Sequence, residues 1–443
     1  MPPADIPATA LAAIARRASD VQEEATDLLR QLVACETAVR SPVTPEFVAE
    51  TRKCRGLVAD FLRDLGCEVH EWETRNGYPT LAARLPGSGE GRSLTFNGHI
   101  DMVPVGDTSA WSRDPWAGGI EDGKMYGRGT ADMKAGLVSM LFAAKCVLAA
   151  GYRPAGDVWF HVVSDEELVG NGTRDCIAKF PATDAVLDAE PTDLTIIPTE
   201  GGLEHLRIEI EGREAHAGSR WRNLAPGENG PGVNAVEKGV KLVTAIQDLE
   251  RQWVNRKSHP LFPPGYNSIL PAIFIGGPGG GQDGQLNVVN NPGTMANYCA
   301  IEYNIWYYPD EPCEQVKAEF EAFVHAFCQT DAWLKEHPPK LTWGLRDVTF
   351  PAFETAPDHP FIELLSQNVR QAGLQSDIEG FSAASDLAWY AQADMPGCLF
   401  GPGGIAQAHS PDEYVLLADF YRGIEICALQ LATWCGVQKA SSG

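Results

Sequence analysis

The chain has 443 residues, long for a single hydrophobic core, so two or more domains are expected. Its net charge of −24 repels nucleic acid and anionic membrane surfaces, and both are excluded as partners. Eleven scattered cysteines with no CxxC pair argue against a disulfide framework or a structural zinc site. No apolar run approaches the ~20 residues that cross a bilayer. Near the N-terminus, Arg16 and Arg17 follow an Ala-rich patch, the wrong side for a signal peptide, so a cytoplasmic location is expected.

In chain order, Thr44-Pro45-Glu46 opens a helix with a capping residue and Pro at the first helical position. Val48, Leu57, Val58, Phe61, Leu62 and Leu65 give it an apolar face, and Gly66 ends it. Strands are predicted at 68–72, 80–85 and 93–97, then a buried helix over 132–150 and strands at 157–163 and 184–187. The character changes near His205. A half-buried strand at 206–210 and an amphipathic helix at 233–254 precede a Gly-rich stretch at 276–281, which leads to strand-like runs at 286–289 and 298–308. After Pro351 come a helix at 360–372, a strand at 395–400 and a closing helix at 417–433. The predicted architecture is α/β: a mixed-sheet domain with helices on both faces, residues 1–204 and 353–443, interrupted by a smaller α+β domain, residues 205–352.

The chemistry-bearing residues lie at the predicted strand ends. His99 and Asp101 close the run Phe96-Asn97-Gly98-His99-Ile100-Asp101. A neutral imidazole binds a divalent metal, and a carboxylate on its other nitrogen orients it. Alone, a His-x-Asp pair is more often a satisfied surface pair. Asp132, in Gly127-Arg128-Gly129-Thr130-Ala131-Asp132-Met133-Lys134, stands where a helix begins and would ordinarily be a cap. Its glycines instead allow a sharp turn and a close backbone approach. Glu166 and Glu167 are adjacent carboxylates that repel unless a cation compensates them. One could bind metal while the other accepts a proton. A solvated acidic loop is the plainer alternative, and Glu190 shares that ambiguity. His409 lies in a further Gly-rich loop at a strand end. His70, His161, His259, His325, His337 and His359 lie outside any motif and read as packing residues.

The ordered series Gly-His-x-Asp, Gly-Arg-Gly-x-x-Asp-Met-Lys-x-Gly, Asp-Glu-Glu, Ala-Glu-Pro-Thr, Ala-His-Ala-Gly and Ala-His-Ser-Pro-Asp-Glu resembles the M20 metallopeptidase family, over roughly residues 94–415. That family includes deacylases, aminoacylases and carboxypeptidase-type enzymes. The resemblance implies two divalent ions, zinc first with manganese or cobalt also fitting, about 3.5 Å apart. It implies that His99 and Glu190 bind one ion and Glu167 and His409 the other. Asp132 would bridge them, Asp101 orient His99 and Glu166 act as general base. It further implies that residues 205–352 form a lid through which the chain homodimerises. There His216 would stabilise the oxyanion in the partner's site, and Asn287 would contact substrate.

Two departures concern the substrate. Trp306, in Asn304-Ile305-Trp306-Tyr307-Tyr308-Pro309, stands where the family often has a carboxylate-binding Arg, and it cannot form a bidentate clamp. It either packs inside the lid or stacks on a flat or apolar substrate. The spacer from Ser219 to Gly232 is also longer than usual, and its Arg220 and Arg222 are alternative carriers of the missing charge. The expected activity is hydrolysis of a C–N amide in a small N-acyl amino acid or related N-acyl amine. A dipeptidase or carboxypeptidase, a hydrolase of an aromatic amide or amine, and a non-catalytic dimeric binding protein on the same fold are the alternatives.

Overall fold

The computed structural model describes residues 6–39, 43–224, 230–287, 292–345 and 349–440. Two compact units are present. The first comprises Met1–Thr199, Phe353–Gly380 and Ser385–Gly443; the second comprises Glu200–Ala352 and Phe381–Ala384. The first break precedes residue 205 because the strand Gly202–Glu211, which opens the second unit, already runs through it.

The first unit is built on a nine-stranded mixed sheet. Its order is Glu68–Glu73, Pro79–Leu85, Val158–Val163, Leu94–His99, Val186–Asp188, Gly397–Leu399, Ile196–Glu200 and Phe353–Glu354, with Ile378–Phe381 also pairing Ile196–Glu200. Leu94–His99 runs parallel to both Val158–Val163 and Val186–Asp188, whereas Pro79–Leu85 is antiparallel to Val158–Val163. Every residue of Leu94–His99 and Val158–Val163 is buried. Continuous burial requires cover on both faces. Cys54 and Val58 of the helix Pro45–Asp64, the helix Ala135–Ala149, and Ile424 and Cys427 of Leu417–Cys435 cover one face. On the other, Ala82 and Val163 pack with Cys176 of Asn171–Lys179.

Local signals explain which elements were legible. The Thr44 hydroxyl accepts from the Phe47 amide at 3.3 Å, with Pro45 beginning the helix. Two helices absent from the sequence reading, Ala8–Asp20 and Gln22–Val33, begin at Pro7 and Val21 without a side-chain cap. The helix predicted from residue 132 starts at Ala135. Ahead of it, Asp132 (φ −115°, ψ 98°) and Met133 (φ −131°, ψ 25°) leave helical geometry, and the peptide bond joining them is cis.

The second unit is an antiparallel sheet ordered Ile269–Gly277, Tyr298–Tyr307, Gly202–Glu211 and Lys340–Trp343, with Thr349–Phe350 also pairing Gly202–Glu211. Leu242, Ile246 and Trp253 of the helix Ala235–Arg256 pack with Val316 and Phe320 of Cys313–Cys328 against Leu206, Ile208, Ile301 and Ile305. The sequence reading lacked the helix Cys313–Cys328 and the strand Ile269–Gly277. In the latter, Pro271 and a register shift before Ile273 disrupt the alternation that marks a strand. Of the run predicted at 286–289, Leu286 belongs to the short strand Gln285–Leu286, and residues 288 and 289 lie outside the described residues.

Candidate active site

The first unit brings its sequence-predicted ligands to the carboxyl ends of parallel strands, where open α/β sheets bind ligands. His99 ends Leu94–His99, Glu166 and Glu167 follow Val158–Val163, and Glu190 follows Val186–Asp188. Asp132 comes from the irregular turn and His409 from the loop before Tyr414–Leu416.

The two Asp132 oxygens face different histidines. Oδ1 lies 3.1 Å from His99 Nε2, and Oδ2 lies 3.1 Å from His409 Nε2. Glu167 Oε2 is also 3.1 Å from His409 Nε2. On the other side, Glu166 Oε2 and Glu190 Oε1 lie 3.8 and 4.0 Å from His99 Nε2. Ligand atoms of His99, Asp132 and Glu167 lie within 4.8 Å of one another, as do those of His99, Glu166 and Glu190. Asp132 is not that helix's cap: the N-cap position before Ala135 is Lys134, with no side-chain cap bond.

His99 is held from behind. Its Nδ1 lies 3.0 Å from the Asp101 backbone carbonyl and 3.6 Å from that residue's Oδ1, so the carbonyl is the nearer partner. The Asp101 carboxylate accepts instead from the Glu167 amide at 3.3 Å, and Glu167 Oε1 accepts from the Val103 amide at 3.1 Å. Asp101 thereby links the two strand ends.

Electrostatically the cluster lacks positive charge. Burial, then the charge of Glu190, pushes Glu166 well above the usual carboxylate range; burial, then Asp132, does the same to Glu190. Burial opposes ionisation of Asp132, but hydrogen bonds to His409 and His99 outweigh it and hold its pKa down. Asp132 and Glu167 raise His409 to about 10. Burial works against a charged His99, yet Asp132, Asp101 and Glu166 together carry its pKa well above the ordinary value. Glu190 Oε1 is buried without a hydrogen-bond partner. Four carboxylates converging on two imidazoles, one with an orphaned oxygen, fit divalent cations, which supply the missing charge.

The other predicted site residues lie in the second unit. His216 is exposed, and its Nδ1 accepts from the Gly218 amide at 3.1 Å. Arg220 pairs with Glu237, Arg222 is exposed, and Asn287 is exposed at the end of the short hairpin. Trp306 is half-buried, with its ring 5.8 Å from Tyr266 in an edge-on contact. Its neighbours Ile305 and Tyr307 belong to this unit's apolar cluster, so strand alternation turns Trp306 to the opposite face.

Sequence reasoning missed Glu413 and Arg128. They form a buried ion pair that joins the His409 and Asp132 motifs. The only signal available was their place inside two otherwise assigned motifs.

Similar proteins match this chain across nearly their whole length. The N-formyl-4-amino-5-aminomethyl-2-methylpyrimidine deformylase of Halalkalibacterium halodurans is 32% identical over 419 residues, covering 92% of this chain and 95% of the relative. The Bacillus subtilis protein of that name is 30% identical over 434 residues, covering 96% and 97%. Among solved structures, the Bacillus cereus aminopeptidase PepT superposes with a TM-score of 0.69 at 18% identity, covering 93% of this chain and 99% of that one. A Bacillus subtilis dinuclear metal-binding peptidase of the M20 family gives 0.60 at 14% identity, covering 94% and 99%. Peptidase family M20/M25/M40 matches residues 95–432, and the chain belongs to this family of metal-dependent amidohydrolases and peptidases.

Proposed function

We propose that this chain is a two-metal amide hydrolase that removes a formyl or similarly small acyl group from the amino nitrogen of a heteroaromatic amine. The observation that carries the metal chemistry is Asp132, with one oxygen 3.1 Å from each of two histidines, the arrangement of a shared ligand. His99 and Glu190 would hold one ion, Glu167 and His409 the other. Zinc suits His plus carboxylate donors, and manganese or cobalt fits the same set. Bound ions supply Lewis acidity and lower the pKa of water toward neutrality.

Glu166 is the proton carrier. It is nearly buried, and burial with Glu190 raises its proton affinity, as suits a group that takes a proton from water and returns it. Water oxygen bonds to the acyl carbon, the C–N bond breaks, and Glu166 passes the proton to the amine nitrogen. Formate, or another small acid, and the free amine are the products. His216 donates to the developing oxyanion from the lid of a partner copy, a kind of contact worth ~10²–10³ in rate.

The substrate class draws support from two sides. Relatives at 30–32% identity over more than nine-tenths of the chain carry the name of an N-formyl aminopyrimidine deformylase. Independently, Trp306 offers an aromatic surface where a carboxylate-binding Arg would stand. Asn287, Arg220 and Arg222 complete the proposed substrate contacts. The exposed Leu270, Ile273 and Phe274 of the edge strand Ile269–Gly277 support a homodimer through the lid. A cytoplasmic location remains part of the proposal; among the described residues no helix is long and apolar enough to cross a membrane.

A panel of N-formyl, N-acetyl and N-succinyl heteroaromatic methylamines, N-acyl amino acids and dipeptides tests the reading. The highest kcat/KM is expected on the N-formyl heteroaromatic amine. Preference for N-acyl amino acids or dipeptides would refute the substrate class while leaving the metal chemistry intact.

A further inference from the structure

Asp132 reaches its two histidines from a backbone that is neither helix nor strand, so something must hold that turn. Glu413 does so from 281 positions away in sequence. It is fully buried. Its Oε1 accepts from three backbone amides of the turn: Gly129 and Ala131 at 2.9 Å, and Asp132 at 3.2 Å. Its Oε2 accepts from Arg128 Nη1 at 2.5 Å. Its own carbonyl accepts from the Gly127 amide at 2.9 Å. Arg128 is 2% exposed, with its guanidinium 5.2 Å over the Trp111 ring. The turn is tight as well: Gly129 has φ +86°, and a Cβ there would come 2.4 Å from Met102 Sδ.

A single carboxylate thus collects the amides on both sides of Ala131, including that of Asp132. The same segment carries His409 four residues earlier. A buried ion pair is by itself weak evidence of stabilisation, because apolar replacements are often neutral. Three amides converging on one carboxylate oxygen are instead a directional device, since each N–H···O bond favours a near-linear approach and the three together fix where that oxygen sits. We propose that Glu413 is a positioning residue: it sets the Asp132 carboxylate and couples that position to His409. The proposal rests on Asp132 being the shared metal ligand.

The test compares full-length wild type with Glu413→Gln, Glu413→Asp, Asp132→Asn and Asn368→Ala. Asn368 is a buried residue hydrogen-bonded to Gln430 and Thr433, and it reports the generic effect of losing a buried polar contact. The readouts are equilibrium binding of Zn²⁺ and Co²⁺, the visible spectrum of the Co²⁺ form, and the melting temperature of the metal-free protein. Glu413→Gln keeps the shape but loses the charge, placing an NH₂ against donors. Its affinity for at least one ion is expected to fall about 10–100-fold, with a changed Co²⁺ spectrum and a matching loss of kcat at nearly constant KM. Glu413→Asp keeps the charge but withdraws it by one methylene, and an intermediate loss is expected.

Glu413→Gln with wild-type metal affinity and spectrum, losing only thermal stability as Asn368→Ala does, overturns the proposal. If Glu413→Gln does not fold, wild-type metal affinity in Glu413→Asp overturns it equally. Asp132→Asn separates the underlying assumption: undiminished binding of two ions there removes Asp132 as shared ligand, whatever the Glu413 variants do.

Discussion

Gly136→Ala isolates the contact between the buried helix and the Glu190 strand end. Gly136 is the second residue of the helix Ala135–Ala149, and an added Cβ would lie 2.0 Å from the Ala189 carbonyl oxygen and 2.9 Å from Ala189 Cβ. Relief to 3.0 Å needs a shift of about 1 Å between helix and strand end. Two energies oppose. Alanine improves helix propensity by about 0.5–1 kcal/mol, while overpacking a dense core costs about 1–3 kcal/mol. The clash wins, with a net loss of about 1 kcal/mol, or about 2–4 °C in Tm for a unit of this size. The effect on function is disproportionate, because Ala189 adjoins Glu190. A misplacement of about 1 Å at a reacting site costs on the order of 10² in rate. Calorimetry on the metal-free protein, with metal titration and turnover on the same samples, measures both. Wild-type metal affinity and turnover in a folded Gly136→Ala protein would show that this contact does not set Glu190.

Two further outcomes are expected. Glu166→Gln should retain both metal ions by elemental analysis while turnover falls by about 10²–10⁴; retained activity would reassign the proton carrier. For Asp386, burial and then the charge of Asp188 push the pKa up to about 8, against 3.8 for the ordinary group. The folded state therefore holds this proton longer than the unfolded one. Its stability contribution is complete below about pH 4 and is lost as pH rises through about 8. Asp386→Asn should gain stability relative to wild type between about pH 5 and 9, read from urea midpoints; parallel pH profiles for the two proteins would contradict this.

Much of the candidate site was legible because each candidate ligand sits beside a strong local signal. His99, Glu166, Glu167 and Glu190 lie at or just after short, mostly apolar runs that read as strands and are buried in the fold. Asp132 stands between glycines and a helix-forming stretch, and His409 lies in a loop rich in Gly and Pro. Helices with caps or terminal glycines were equally visible, as at Thr44 and Gly66. Those beginning at Pro7 and Val21 had no such mark.

Sequence by itself determined the candidate-ligand types, their order and the alternation of strands and helices, since these depend on side-chain chemistry and short-range periodicity. Tertiary structure decided what each ligand faces. Sequence left Asp132 as either a helix cap or a metal ligand, and folding sets His99 and His409 against its two oxygens. Asp101 was expected to orient His99 through its carboxylate, but chain geometry gives the nearer contact to its carbonyl. Trp306 could pack inside the lid or stack on substrate, and the burial of Ile305 and Tyr307 in the apolar cluster turns it to the opposite face of the strand. Glu413 stood inside an assigned motif with nothing local to show its role, because its partners, the Arg128 guanidinium and three backbone amides, lie more than 280 residues away. Backbone amides are identical in every residue but proline, so only the folded chain reveals which of them a buried carboxylate collects.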